Sequence, residues 1–194
     1  MTLLIMGLVL LIGVHSTRIV AEGWRDAAIA RLGAGAWKIA YSLVSLAGLA
    51  LVVWGYSAAR SEPVVLWPAL PVAVRHVAAL LTLIAFVLVV AAYVPGNGVK
   101  ARLHHPMVLG VKTWALAHLV ANNTLADLVL FGTVLVWAVF DYRAARRRDV
   151  AQHTTYPGGT ALRTALTVVL GIAAWAVFAF HLHARWIGVA PLTT

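Results

Sequence analysis

Eight histidines in a chain of 194 residues with no cysteine are the groups with most chemical scope. His118 has Trp114 four residues before it and Asn122 four residues after it, so on a helix the three share one stripe. His15 is followed by Arg18 and Glu22 at spacings of three and seven, nearly on one face. His76 stands beside Arg75, His104 and His105 precede Pro106, and His181 and His183 lie near the C-terminus. Neutral imidazole can serve as an axial ligand of haem or as a ligand of a transition metal such as zinc. A zinc site would also recruit carboxylates, and Asp127 is the only acid at membrane depth, which favours haem. The simpler role for a membrane histidine is a hydrogen bond between helices or a reach to the interface. Without cysteine there is no disulfide, thiolate metal site or cysteine nucleophile.

These histidines sit in an unusually apolar chain. Residues are 62% hydrophobic and 11% charged, with a mean hydropathy of +0.91, whereas a soluble domain is about a quarter charged. The expected fold is therefore all-α, a polytopic membrane bundle of about six helices forming one domain over residues 1–194. Six apolar stretches supply the spans: Leu3 to Val20, Trp37 to Ala58, Val72 to Val94, Pro106 to Asn122, Thr124 to Tyr142, and Arg163 to Arg185. Most approach the ~20 residues that cross ~30 Å of hydrocarbon. The first lacks a preceding basic region and a small-x-small cleavage site, so it reads as a retained helix.

A net charge of +9 would suggest nucleic acid in a soluble protein, but here too little polar surface exists for such a site. The charge instead follows topology. Arg18, Arg25, Arg31 and Lys38 flank the first loop, Lys100, Arg102 and Lys112 the third, and Arg143, Arg146, Arg147, Arg148 and Arg163 the fifth. Only Arg60, Arg75 and Arg185 lie on the other side. By the positive-inside rule the odd loops are cytoplasmic and the N-terminus is outside, as for a multi-pass membrane protein in contact with anionic lipid. The Ser61 to Pro71 loop is too proline-rich for helix, and Thr124 with Asp127 reads as a capping box. Gly7, Gly13, Gly48, Gly110, Gly132 and Gly171 fall within spans, where small residues let helices approach. Trp37, Trp54, Trp67, Trp137 and Trp186 read as interfacial belt residues.

The run from His105-Pro106 through Gly110, Lys112, Trp114 and Ala117-His118 to Asn122 resembles the signature of the NnrU family, membrane proteins associated with nitrite and nitric oxide reduction in denitrifying bacteria. His15-Ser16 with Arg18, Trp37-Lys38, Arg75-His76, Tyr93-Val94-Pro95-Gly96 and His183 to Val189 extend the likeness over essentially the whole chain. That family is related to zeta-carotene isomerase, a haem-b membrane enzyme of redox-dependent cis-to-trans isomerisation. The kinship implies haem b, with His15 and His118 as candidate ligands; Arg18, by its spacing from His15, and Trp114 and Asn122, by their stripe with His118, are further cofactor-binding candidates. A redox or isomerase-like role linked to denitrification follows as an expectation, although kinship does not transfer a reaction.

Depth supplies a counter-argument. At ~1.5 Å per residue, His15 lies ~20 Å from the outer end of its span and His118 ~18 Å from the inner end of its own. In a ~30 Å core they differ by roughly 8 Å. By depth alone His118 matches His76 and His15 matches His105, so all four remain ligand candidates. Two other readings compete. His105-Pro106 with Gly110 resembles part of an S-adenosylmethionine-binding run of membrane methyltransferases, but its Arg and Tyr are replaced by His104 and Val108, and Arg146-Arg147-Arg148-Asp149 stands where paired glutamates belong. The other is a non-enzymatic accessory of a respiratory reductase; a lipophilic small molecule is the remaining partner class.

Overall fold

The computed structural model describes residues 1–68 and 70–192 and is all-helical, with no strand among them. Five helices among the described residues are long and apolar enough to cross a membrane. They are α1 (Thr2–Val20), α3 (Ala34–Ser61), α4 (Val72–Tyr93), α7 (Leu125–Ala151) and the run Ala161–Ile187, which contains α8 (Ala161–Val177). The shorter helices are α2 (Glu22–Leu32), α5 (Gly98–Leu103) and α6 (Pro106–Ala121). A π-helical turn at Phe178–Leu182 links α8 to α9 (His183–Ile187). At 16 residues, α6 is ~24 Å long, less than a ~30 Å hydrocarbon core. It is the apolar element that departs from the expected set of six spans.

The chain divides into two compact units: residues 1–68 with 123–141, and residues 69–122 with 142–194. In the first, α1 and α3 pack closely along their length. A Cβ on Gly7 would lie 2.5 Å from Val52 N, one on Gly48 2.7 Å from Leu11 N, and one on Gly55 would overlap the backbone of Leu4. Gly55 was not among the expected packing glycines, and two that were do not serve: nothing approaches Gly13 within 4 Å, and Gly132 meets only its own helix, at Leu128. Both lie on faces that no neighbouring helix covers closely. The Ser61 to Pro71 loop, apart from Ala69, is non-helical after Ser61, as its prolines require. It is pinned to the start of α7 by Leu66 N–H donating to Asn123 O (2.8 Å) and Leu125 N–H to Val64 O (2.9 Å). Thr124 and Asp127 form the expected capping box, with Asp127 N–H reaching Thr124 Oγ1 (3.3 Å) and Thr124 N–H reaching Asp127 Oδ2 (3.1 Å).

In the second unit α6 and α8 both pack on α4. Gly110 lets α6 approach Ala85 and Val89, and Gly171 lets α8 approach Val87. Fully buried Asn97 ends the turn after α4, donating from Nδ2 to Ala91 O (2.8 Å) and Val94 O (2.5 Å) while Oδ1 accepts from Lys100 N–H (2.8 Å). In both units large apolar side chains stay exposed, among them Ile5, Val9, Leu43, Leu46, Val53, Leu80 and Val169. Apolar surface on this scale is normal only where lipid covers it.

Candidate functional site

In the first unit, His15 lies about a turn and a half before the end of α1 and is half-buried. Its Nδ1 bonds Leu11 O at 2.7 Å, the carbonyl one turn back. Its ring lies 5.2 Å from that of Tyr41 and 5.9 Å, edge-on, from that of Trp137. Trp137 therefore adjoins a site residue. Arg18 follows on α1, and its guanidinium turns to Glu22 at 4.0 Å.

In the second unit, Trp114, His118 and Asn122 form one connected ladder along α6. His118 Nδ1 bonds Trp114 O at 2.9 Å, Asn122 Nδ2 donates to His118 O at 2.8 Å, and the Trp114 and His118 rings are 4.8 Å apart. The expected span Pro106 to Asn122 becomes α6 over Pro106–Ala121, with His118 in its last turn. His76 is exposed at the start of α4.

For both His15 and His118, an Nδ1–H donated to a backbone carbonyl leaves the lone pair on Nε2. Metal-ligating histidines are commonly held in this way, since the second bond fixes both tautomer and ring orientation. Among the described residues no three His, Asp or Glu side chains gather to hold a bare metal ion. That donor set suits haem, which brings four nitrogens of its own and asks the chain only for axial imidazole.

His105 belongs to a different cluster. Its Nε2 meets Asp149 Oδ2 at 2.9 Å, and the same carboxylate accepts from Arg146 Nη1 (2.8 Å) and from Tyr156 Oη (3.1 Å). Arg146 also donates to His104 Nδ1, and the His104 ring stacks on Tyr156 at 4.1 Å. His104 has φ +69° and ψ −65°, and His105 N–H bonds Leu103 O at 2.9 Å. Together these describe a γ-turn, a strained conformation for a residue with a Cβ. The stack and the guanidinium hold it in place. Burial first, and then the adjacent Asp149 carboxylate, push the Tyr156 phenol above its usual 10. Sequence reasoning saw Asp149 only as a departure from a methyltransferase pattern and did not single out Tyr156. The signal available was an acid in the run Arg146-Arg147-Arg148-Asp149, one turn after Arg146.

Comparison with known families is decisive at the level of kinship. The model of the family described as NnrU protein matches residues 3–191. The chain belongs to the NnrU family. No curated protein and no solved structure matches it. The NnrU match runs through both compact units and includes every histidine discussed above.

Proposed function

We propose that this NnrU-family protein is a haem-b-binding protein of the bacterial inner membrane, with its N-terminus outside and a redox or isomerase-like role linked to nitrite and nitric oxide reduction. His118 and His15 are the ligand candidates, and a lipophilic small molecule or a respiratory reductase is the partner class. The supporting observation is the matched orientation of the two histidines: each ties Nδ1 to the carbonyl one turn back, the bond that fixes the ring and its tautomer in metal-ligating histidines. His105 is held differently, with its Nε2 on Asp149. Haem b, when bound, supplies a one-electron iron couple. The chain's own part is to orient imidazole, through the Trp114–His118–Asn122 ladder on α6 and the Leu11–His15 bond on α1. Its apolar helices also keep water from the iron, which tunes the potential.

Pyridine-haemochrome analysis of the detergent-purified protein is the test. Wild type should show haem b, and His118→Ala and His15→Ala should each lose at least half of it. A colourless wild-type protein, or full haem in both variants, overturns the assignment.

A further inference from the structure

The two compact units divide the chain's charge unequally. Residues 1–68 with 123–141 hold five basic and five acidic residues, whereas residues 69–122 with 142–194 hold ten basic residues and the single acid Asp149. The whole excess of +9 therefore belongs to the second unit, and Asp149 is already shared by His105, Arg146 and Tyr156. Two further cations are used within the fold: Lys100 Nζ donates to Ala92 O (3.2 Å) and Arg163 Nη1 to Pro95 O (3.1 Å), both near the end of α4. Arg102, Arg143 and Arg147 stay exposed.

Lys112 differs from all of these. It is half-buried within α6, ~9 Å beyond Pro106, in a helix with no Asp, Glu or Arg. Its ammonium lies 5.5 Å from the centre of the Tyr142 ring, and no carboxylate or carbonyl among the described residues bonds it. A tyrosine face attracts a cation but satisfies none of the three N–H donors of lysine. Tyr142 belongs to α7 and its Oη lies 3.5 Å from Leu103 O at the end of α5. Arg143 follows Tyr142 and Arg102 precedes Leu103, so α5, α6 and α7 bring three cations to one end of the second unit. One turn beyond Lys112 on the same face of α6, Leu116 is 42% exposed and adjoins that cationic end with apolar surface.

An ammonium at that depth is costly without a counter-charge. Basic pockets among helices on the cytoplasmic side suit the phosphate of an anionic lipid, and an ammonium within an apolar helix is reached along the lipid rather than from water. We propose that Lys112, with Arg102 and Arg143, binds the phosphate of an anionic phospholipid whose acyl chains lie along α6 at Leu116. The positive-inside rule asks only for basic residues in the inner loops. It does not ask for a lysine inside a helix that faces an aromatic ring and no acid, which is what a bound phosphate explains. The site makes no use of haem.

The test is native mass spectrometry of the full-length protein in detergent, titrated with an equal mixture of phosphatidylglycerol and phosphatidylcholine of the same acyl chains. Wild type should retain about fivefold more phosphatidylglycerol than phosphatidylcholine. Lys112→Met keeps the stem and removes the charge, and should lower that preference by about threefold. Arg143→Gln should act in the same direction and provides a second reading should Lys112→Met fail to fold. Arg185→Gln, an equal loss of charge on α9, should leave the preference unchanged. Equal retention of the two lipids by wild type, an unchanged preference in both Lys112→Met and Arg143→Gln, or a loss in Arg185→Gln as large as in Lys112→Met overturns the proposal. Displacement of the lipid by excess inorganic phosphate overturns the lipid as occupant in favour of a soluble anion.

Discussion

At the scale of single residues, the imidazoles divide by what their second nitrogen does. His15 and His118 bond a backbone carbonyl through Nδ1, whereas His105 bonds Asp149 through Nε2. Asp149 is only 11% exposed and accepts from His105, Arg146 and Tyr156. Asp149→Ala should therefore destabilise the protein by about 1 kcal/mol, since His105, Arg146 and Tyr156 lose a shared acceptor while remaining partly exposed. Thermal unfolding in detergent, followed by tryptophan fluorescence, would measure this, and an unchanged midpoint would show that the cluster is not structural. Tyr156 supplies the pH dependence. Its folded pKa is raised above 10, so its contribution is fully present below pH 10 and is lost as pH rises through the higher folded value. Absorbance titration at 295 nm should show a late-ionising phenol that Tyr156→Phe removes. The Trp114–His118–Asn122 stripe could be read from the chain because spacings of four are local. The Asp149 cluster could not, because it joins residues 44 and 51 positions from His105.

At the scale of elements, hydropathy locates the long helices but not their ends. Expected spans of Trp37 to Ala58 and Thr124 to Tyr142 become helices over Ala34–Ser61 and Leu125–Ala151. Arg143 to Arg148 favour helix intrinsically and simply continue it beyond the apolar part. Glycine roles separate in a way that can be measured. Alanine at Gly55 has no room against Leu4, whereas alanine at Gly13 meets nothing within 4 Å. Gly55→Ala should cost about 1–3 kcal/mol by overpacking, while Gly13→Ala should be neutral or stabilise by up to about 1 kcal/mol through helix propensity. Matching changes in the two midpoints would contradict the packing register of α1 on α3. Both glycines lie in apolar runs of the same character, so only the facing helix distinguishes them.

At the scale of the whole molecule, the distribution of Lys and Arg makes a topological prediction that a cysteine-free chain is well suited to test. Within the first unit, exposed Ala27 on α2 and exposed Glu62 after α3 belong to successive loops. In intact bacterial spheroplasts, Glu62→Cys should react with a membrane-impermeant maleimide, and Ala27→Cys should react only after lysis. The reverse pattern would invert the assigned orientation. The sequence by itself determined the membrane class, the positions of the long helices, the charge asymmetry and the NnrU kinship, because each is a property of composition or of neighbours along the chain. The tertiary structure alone decided which glycines are contacts, that His105 answers to Asp149, and that the buried indole N–H of Trp137 has no acceptor among the described residues. Those facts depend on residues brought together from distant parts of the chain, and in so uniformly apolar a sequence no local pattern records which of them meet.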